Sequence, residues 1–207
     1  MKSVLKISAV AFVFVFLTTS CAKTFYSVDC KRLAQHHQSV AVMPSFVSIA
    51  STGVNRRVAA EVLERQEAAE SLNFQQAIHT WMKKSKSDGK VTVEIQDIEV
   101  TNARLKSAGY PKTLLTDAKI CEILGVDGII VSNFELSKPF STAEALTLGI
   151  TTGVWASTDE VKAALGVSDC ANTKIIWNYE QKLSGDSPIR IVEKFIQKTG
   201  KKIPYVR

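Results

Sequence analysis

The stretch from Val126 to Leu136 places the strongest constraint on the fold. Every residue from Gly128 to Val131 is apolar or glycine, whereas Phe134 and Leu136 alternate with polar neighbours. A continuous apolar run is typical of a strand buried on both faces, and alternation is typical of a strand with one face in water. The pattern predicts a central strand that runs from the middle of a sheet to its margin.

Extended and helical patterns alternate along the rest of the chain. This alternation predicts an α/β (α+β) fold, with a single domain over residues 39–207 and a mixed sheet of about five strands with flanking helices. The polar residues 169–173 connect the last two strands as a hairpin. The predicted strands are 39–44, 91–100, 126–136, 159–168 and 174–183; the predicted helices are 56–86, 101–109, 113 or 116–124 and 187–200, with a loop at 45–55.

Residues 1–20 have the pattern of a bacterial export signal. Lys2 and Lys6 precede an apolar or small run from Ile7 to Leu17, and Cys21 follows. The run is shorter than the roughly 20 residues that cross a bilayer, which disfavours a retained membrane helix. A cysteine at this position resembles a lipobox, in which the cysteine is diacylated on sulfur and becomes the first residue of a lipoprotein.

Two cleavage sites fit this segment. Thr18 occupies the position where a strict lipobox has leucine, and Ser20 with Ala22 satisfies the small-x-small rule for ordinary secretory cleavage after Ala22. On the lipobox reading, residues 21–38 are a lipidated tether, because they are polar and without periodicity. No aspartate follows Cys21, which favours attachment to the periplasmic face of the outer membrane.

Charge and cysteine content narrow the classes of partner. The net charge of +6 becomes +4 without Lys2 and Lys6, and the positive charges are spread thinly along the chain. We therefore expect no nucleic-acid partner for a protein in the periplasm. The remaining three cysteines allow one disulfide at most, for which Cys30 with Cys170 is the candidate pair in an oxidising periplasm, and Cys121 is expected to be a small buried hydrophobe. No cysteine spacing matches a zinc site, and the adjacent residues His36 and His37 lack further ligands at metal spacing, so we expect no metal.

Two surfaces are candidates for interaction. The segment 145–157 carries no charge and contains two glycines, so it could contact a membrane or partner, or it could fold back over the sheet as a buried connection. The end of the last helix is basic and could contact anionic lipid or remain solvated. The candidate interaction residues are Leu146, Leu148, Ile150, Trp155, Lys198, Lys201 and Lys202.

No catalytic motif emerges from the sequence. There is no nucleophile elbow, phosphate-binding glycine loop or helical histidine pair. Asp127 follows a helix-ending glycine and is expected to hold a turn, and Glu135 is expected to point to solvent. We therefore predict no catalytic residues and no cofactor.

A set of short motifs resembles a group of envelope lipoproteins. The motifs are the strand Val40 to Pro44, Gln96-Asp97, Leu124-Gly125-Val126-Asp127, Ser137-Lys138-Pro139, Ile176-Trp177 and Pro204-Tyr205. This layout is similar to that of the curli-secretion (CsgG-like) lipoproteins and the N-terminal domain of the Tol translocation protein. The resemblance implies an envelope role. Residues 145–157 lack the alternation of a barrel strand, which argues against pore formation.

These observations predict a non-enzymatic interaction or assembly component of the envelope, held by its lipid and bound to an envelope protein. One alternative is a periplasmic binder of a small ligand or glycan, with Trp155 as a stacking platform. Another is an oligomeric subunit of a secretion assembly.

We expect the mature protein to begin at an acylated Cys21. Mass spectrometry of the N-terminus should show the acyl mass, and membrane fractionation should place the protein in the outer membrane. Cys21→Ser should release the chain from that fraction. A soluble product that begins at Lys23 would instead indicate cleavage after Ala22.

Overall fold

The computed structural model describes residues 22–50, 56–137 and 159–206, with side chains described from residue 62 onward in the second range. Seven strands and five helices occur in these ranges, which confirms the predicted fold class and corrects the predicted number of strands. The strands are β1 (Lys23–Tyr26), β2 (Ser39–Val42), β3 (Phe46–Ile49), β4 (Glu94–Ile95), β5 (Gly128–Ser137), β6 (Asp159–Asp169) and β7 (Lys174–Gly185). The helices are α1 (Cys30–His36), α2 (Arg56–Ser87), α3 (Ile98–Ser107), α4 (Asp117–Leu124) and α5 (Pro188–Gly200).

The sheet is organised around β5. The strand order is β1-β7-β6-β5-β2-β4, and β3 also pairs with β5. β2 lies parallel to the first part of β5 and β3 lies parallel to its second part, whereas β6 is antiparallel to all of it. Pro44 lies between β2 and β3, and proline has no N–H to donate to a ladder. The two short strands therefore follow one another along a single edge of β5.

One face of the sheet is covered by α2 and α5. Phe134 of β5 lies between the two helices, with its ring centroid 4.8 Å from that of Phe74 and 6.0 Å from that of Phe195. Gly200, in the last turn of α5, lies against the Trp81 indole of α2 so closely that a Cβ atom would overlap the ring. The close approach of these helices thus requires glycine at position 200.

The described helices cover only part of the other face. Helices α3 and α4 pack over Ala41, Met43 and Ile129, at the β2 and early β5 side of the sheet. The α4 helix has the ends that its sequence predicts: the Thr116 side chain accepts from the Lys119 N–H, and Gly125 ends the helix with φ of 60°. Among the described helices, none has the length and apolar content that crossing a bilayer requires.

Two strand predictions were wrong. Residues 46–49, predicted as loop, form β3. Only Glu94 and Ile95 of the predicted strand 91–100 pair as a strand, and α3 begins at Ile98. Val91, Val93 and Ile95 are nevertheless buried, and Val91 forms a single bridge with Val206. The alternation of these apolar residues therefore reflects their burial, although most of the segment forms no hydrogen-bonded strand pairing.

Much of the predicted tether belongs to the folded domain. β1 pairs antiparallel with β7 from Lys23↔Glu180 to Tyr26↔Trp177, and α1 buries Cys30 and Ala34. The i, i+4 spacing of these two small residues is the helical signal that a compositional reading misses. The tether prediction is wrong from Lys23 onward, and Cys21 lies outside the described residues.

The predicted disulfide is also corrected. Cys170 pairs with Cys121, at a Cα–Cα distance of 5.5 Å, and Cys30 is a buried free thiol whose pKa is raised by burial. Cys121 and Cys170 belong to the core on the α3 and α4 side, whereas Cys30 belongs to the core on the opposite side of the sheet. The sheet itself therefore separates Cys30 from Cys170.

A thiol count tests this pairing. In the Cys21→Ser protein, denatured without reductant, we expect one reactive thiol per chain, and none after Cys30→Ser is added. Replacing both Cys121 and Cys170 with serine should lower the free energy of unfolding by roughly 2–5 kcal/mol, because the bond constrains a long loop of the unfolded chain. Thiols that persist in the Cys21→Ser, Cys30→Ser protein would contradict the pairing.

Candidate functional site

Part of the α3 and α4 side of the sheet has no described element packed over it. We call this part the open face. The register of β1, β7, β6, β5 and β3 aligns its side chains in rows across the sheet. One row consists of Phe25, Asn178, Gly166 and Val131, and the next consists of Lys23, Glu180, Ala164, Asn133 and Phe46.

The open face contains a shallow groove of about 280 Å³. Gly166 and Ala164 form its floor, and Phe46, Val131 and Asn178 contribute to its walls. A Cβ atom on Gly166 would lie 3.3 Å from Val131 Cγ2 and 3.4 Å from Asn178 Oδ1. The absence of a side chain at Gly166 therefore keeps the groove open.

Phe46 is the exposed apolar element of this groove. Its side chain is 66% exposed, although β3 is paired with the central strand of the sheet. A strand paired with β5 thus presents an aromatic ring to solvent, next to the amide side chain of Asn133 in the same row. This combination provides an apolar contact and hydrogen-bonding groups for a bound partner.

Ion pairs lie beyond the groove toward the end of β5 and the start of β6. Lys162 Nζ donates to Glu135 Oε2 at 2.9 Å, and Lys182 Nζ lies 2.8 Å from Glu160 Oε1. The hydrogen bond to Glu135 raises the pKa of Lys162. The prediction that Glu135 points to solvent is confirmed, and its partner is a cross-strand lysine on the surface.

A second polar cluster lies inside the domain, where the chain enters β2. His37 Nε2 is 2.8 Å from Asp169 Oδ1, and His37 Nδ1 is 2.7 Å from the Tyr205 hydroxyl. Gly128 leaves room for this contact, since a Cβ atom there would lie 2.8 Å from His37 Nδ1. The His37 and Asp169 side chains are each 3% exposed. A substrate therefore has no access to this cluster. Its hydrogen bonds join three distant parts of the chain, which fits a structural role, and we call the cluster of His37, Asp169 and Tyr205 the buried clamp.

Two carboxylates at this end of the sheet are held ionised by hydrogen bonds. Burial alone would raise the pKa of Asp169, but hydrogen bonds from His37 and Asn172 outweigh burial and hold the pKa below its ordinary value. Burial and hydrogen bonds oppose one another in the same way at Asp127. There the N–H groups of Ser39 and Gln38 are the donors that hold the pKa below its ordinary value. Asp127 was predicted to hold a turn, but its carboxylate instead accepts from the distant segment that leads into β2.

The sequence-predicted interaction residues are not brought together with the groove. Lys198, Lys201 and Lys202 lie at the end of α5, which packs on the opposite face, and Lys202 Nζ lies 4.7 Å from the centroid of the Tyr179 ring. Leu146, Leu148, Ile150 and Trp155 lie outside the described residues. In the described ranges, no group of three or more histidine, cysteine or acidic side chains could hold a metal ion.

Sequence reasoning missed Phe46 and His37. Phe46 falls in a stretch predicted as loop, and His37 in a stretch predicted as tether. The small residues at positions 164 and 166, within an otherwise apolar and polar alternation, were the available signal for the groove.

No protein-family model matches the chain, and no curated protein matches it. Solved structures do show similarity. The PelC dodecamer from Paraburkholderia phytofirmans has 9% identity and a TM-score of 0.46, over 90% of this chain and 98% of that one. Lipoprotein GNA1162 from Neisseria meningitidis has 13% identity and a TM-score of 0.40, over 80% and 96%. The LpoB C-terminal domain from Escherichia coli has 14% identity and a TM-score of 0.35, over 75% and 95%.

None of these three is a curli-secretion or Tol protein, so the finer resemblance stays a prediction. One of them is named as a bacterial lipoprotein. Similarity at this level does not bear on what the present chain binds, and the role has to be argued from its own surface.

The buried clamp makes the stability of the domain sensitive to acid. Because the Asp169 pKa is lower folded than unfolded, its contribution is fully present above about pH 4 and is lost as the pH falls through the folded pKa. At pH 7, Asp169→Asn should lower the free energy of unfolding by about 3 kcal/mol, and the difference from wild type should shrink toward pH 2. Denaturant unfolding at both pH values measures this.

Asp88→Asn is the matched control, because Asp88 forms only an exposed pair with Lys90. It should change stability by less than about 0.5 kcal/mol. A pH-independent loss in Asp169→Asn would contradict the assignment of an ionised, hydrogen-bonded carboxylate.

Proposed function

We propose that this protein is a non-enzymatic component of the bacterial cell envelope that binds a partner protein on the open face of its sheet. In this proposal, acylated Cys21 holds the domain at the periplasmic face of the outer membrane. The observation that carries the binding role is the exposure of Phe46 beside a groove that Gly166 keeps open.

The lining of the groove supports binding over catalysis. Its polar groups include the side-chain amides of Asn133 and Asn178, and it contains no nucleophile paired with a base among the described residues. The described histidine and carboxylate that do form a hydrogen-bonded pair, His37 and Asp169, are buried elsewhere. The described lining of the groove therefore suits recognition of a partner more than chemical transformation of one.

The chemistry of the groove defines the contact that a protein partner would make. An apolar side chain of the partner fits over Ala164 and against the Phe46 ring, and its backbone can exchange hydrogen bonds with the two asparagine amides. The ion pairs beyond the groove carry equal numbers of positive and negative charges. We therefore expect shape and apolar contact, more than net charge, to select the partner.

A second candidate is a glycan ligand. An exposed aromatic ring flanked by amide side chains also suits a sugar, which stacks its apolar face on the ring and hydrogen-bonds through its hydroxyl groups. Titration of the purified domain with soluble peptidoglycan fragments distinguishes this candidate. Saturable binding that Phe46→Ala abolishes would favour the glycan.

Photo-crosslinking in intact cells tests the protein-binding proposal. We expect a photoreactive phenylalanine at position 46 to yield one adduct of defined size, and the same group at Leu114 to yield none. Leu114 is 98% exposed and lies in the loop before α4, so it controls for exposure alone. Against the identified partner, Phe46→Ala should weaken binding about 30-fold, as a central apolar contact does.

Gly166→Val should also prevent the crosslink by filling the floor of the groove, while thermal unfolding of the purified variant checks that it folds. The proposal fails if positions 46 and 114 give the same adducts, or if a folded Gly166→Val protein retains the adduct.

A further inference from the structure

We propose that one edge of the sheet binds the surface of an anionic phospholipid bilayer. We call this edge the N-terminal rim. It consists of β1, the turn that follows it and the start of β7, and its exposed apolar side chains are Phe25, Tyr26, Val28 and Ile175. The expected location of the rim rests on the proposed acylation of Cys21, but its affinity for lipid can be tested without the acyl chain.

The rim concentrates apolar surface that the fold leaves in water. Phe25, Tyr26 and Ile175 are 52%, 53% and 52% exposed, and Val28 is fully exposed. Phe25 and Tyr26 are consecutive residues of β1, and Ile175 lies at the adjoining start of β7, where Ser27 N–H donates to the Ile176 carbonyl. Exposed aromatic and aliphatic side chains gathered at one edge are typical of an interaction site, and aromatic rings are favoured at the water interface of a membrane.

The geometry of β1 suits an approach to a plane. β1 is the terminal strand of the described sheet, so no described strand pairs with its outer edge. Phe25 belongs to the row of Asn178 on the open face, whereas the Tyr26 hydroxyl donates to the Lys202 carbonyl at the end of α5, which covers the other face. The two rings thus leave opposite faces of one strand. A bilayer met edge-on by the sheet would contact both.

The proposed anchor would bring this rim to the membrane. Lys23, the first residue of β1, is only two residues from Cys21, a reach of roughly 7 Å for an extended chain. A domain held by lipid at Cys21 would therefore place β1 within the head-group region or directly beneath it. Exposed apolar side chains elsewhere in the described chain, such as Leu114, are not held near the membrane by a short link to Cys21.

The charges of the rim complement anionic head groups. Lys23, Lys31 and Lys174 are exposed on β1, α1 and β7. Of the nearby acidic residues, Asp29 is paired with Arg32 at 3.0 Å and Glu180 lies opposite Lys23 in the β1–β7 ladder, which leaves an excess of positive charge. Lysines beside an apolar surface attract anionic lipid over a short distance that salt reduces. We therefore expect binding that depends on both anionic lipid and apolar contact, which distinguishes a bilayer from a free anion.

Vesicle flotation of the full mature chain with Cys21→Ser tests the inference. We expect it to float with vesicles of phosphatidylethanolamine and phosphatidylglycerol at low salt, and to bind phosphatidylcholine vesicles at least tenfold more weakly. Phe25→Ser with Val28→Ser should weaken binding about tenfold, as should Lys23→Glu with Lys31→Glu. These side chains are exposed, and thermal unfolding confirms that each variant folds.

The control is Leu114→Ser with Lys112→Glu, which removes a 98% exposed apolar side chain and an exposed lysine far along the chain from the rim. It should leave flotation unchanged. The inference is overturned if the control weakens binding as much as the rim variants do, or if the chain floats with neither vesicle. It is also overturned if Phe25→Ser converts a dimer to a monomer without changing flotation, since the edge would then pair with a second copy.

Crosslinking at Phe46 reports on the groove independently, so failure of one proposal does not imply failure of the other.

Discussion

The double burial of β5 is the constraint on which the rest of the structure depends. The described helices enclose its first residues on both faces and its later residues on one face only. β2, β3 and β6 all take their register from this strand. Helices α3 and α4 cover only the first part of β5, where the apolar residues are continuous. The groove begins where the apolar residues of β5 start to alternate with polar ones. The same change that marks the strand in the sequence thus marks the boundary of the candidate docking surface.

The buried clamp and the groove differ in what their polar groups can do. The cluster of His37, Asp169 and Tyr205 is buried and satisfies charged and hydroxyl groups inside the fold. The amides of Asn133 and Asn178 border an accessible groove. Burial decides between these roles, because a buried network rigidifies the native state and an exposed one remains available to a partner. A hydrogen-bonded histidine and carboxylate therefore do not indicate catalysis here.

The sequence predicted the elements whose own pattern determines them. The β5 to β7 strands, α2, and the ends of α4 at Thr116 and Gly125 follow from periodicity and capping. The failures have a common physical origin in pairing with distant residues. β1 and β3 are four-residue strands that exist because β7 and β5 offer them a ladder, and no local signal reports such a partner. The disulfide was misassigned for the same reason, since the side of the sheet on which each cysteine lies depends on topology. Phe46 could not be identified as a surface residue until β3 was known to be a strand.

Contacts between the two ends of the described chain carry a kinetic consequence. The Tyr205 hydroxyl bonds to His37 across 168 residues, and the Tyr26 hydroxyl bonds to the Lys202 carbonyl across 176. Contacts of such separation close only after most of the chain is present, and folding slows as sequence separation grows. As the chain is synthesised, β1 therefore stays unpaired until β7 is available, and the contact between His37 and Tyr205 forms later still. The domain reaches its compact state only when nearly all of the described chain is present.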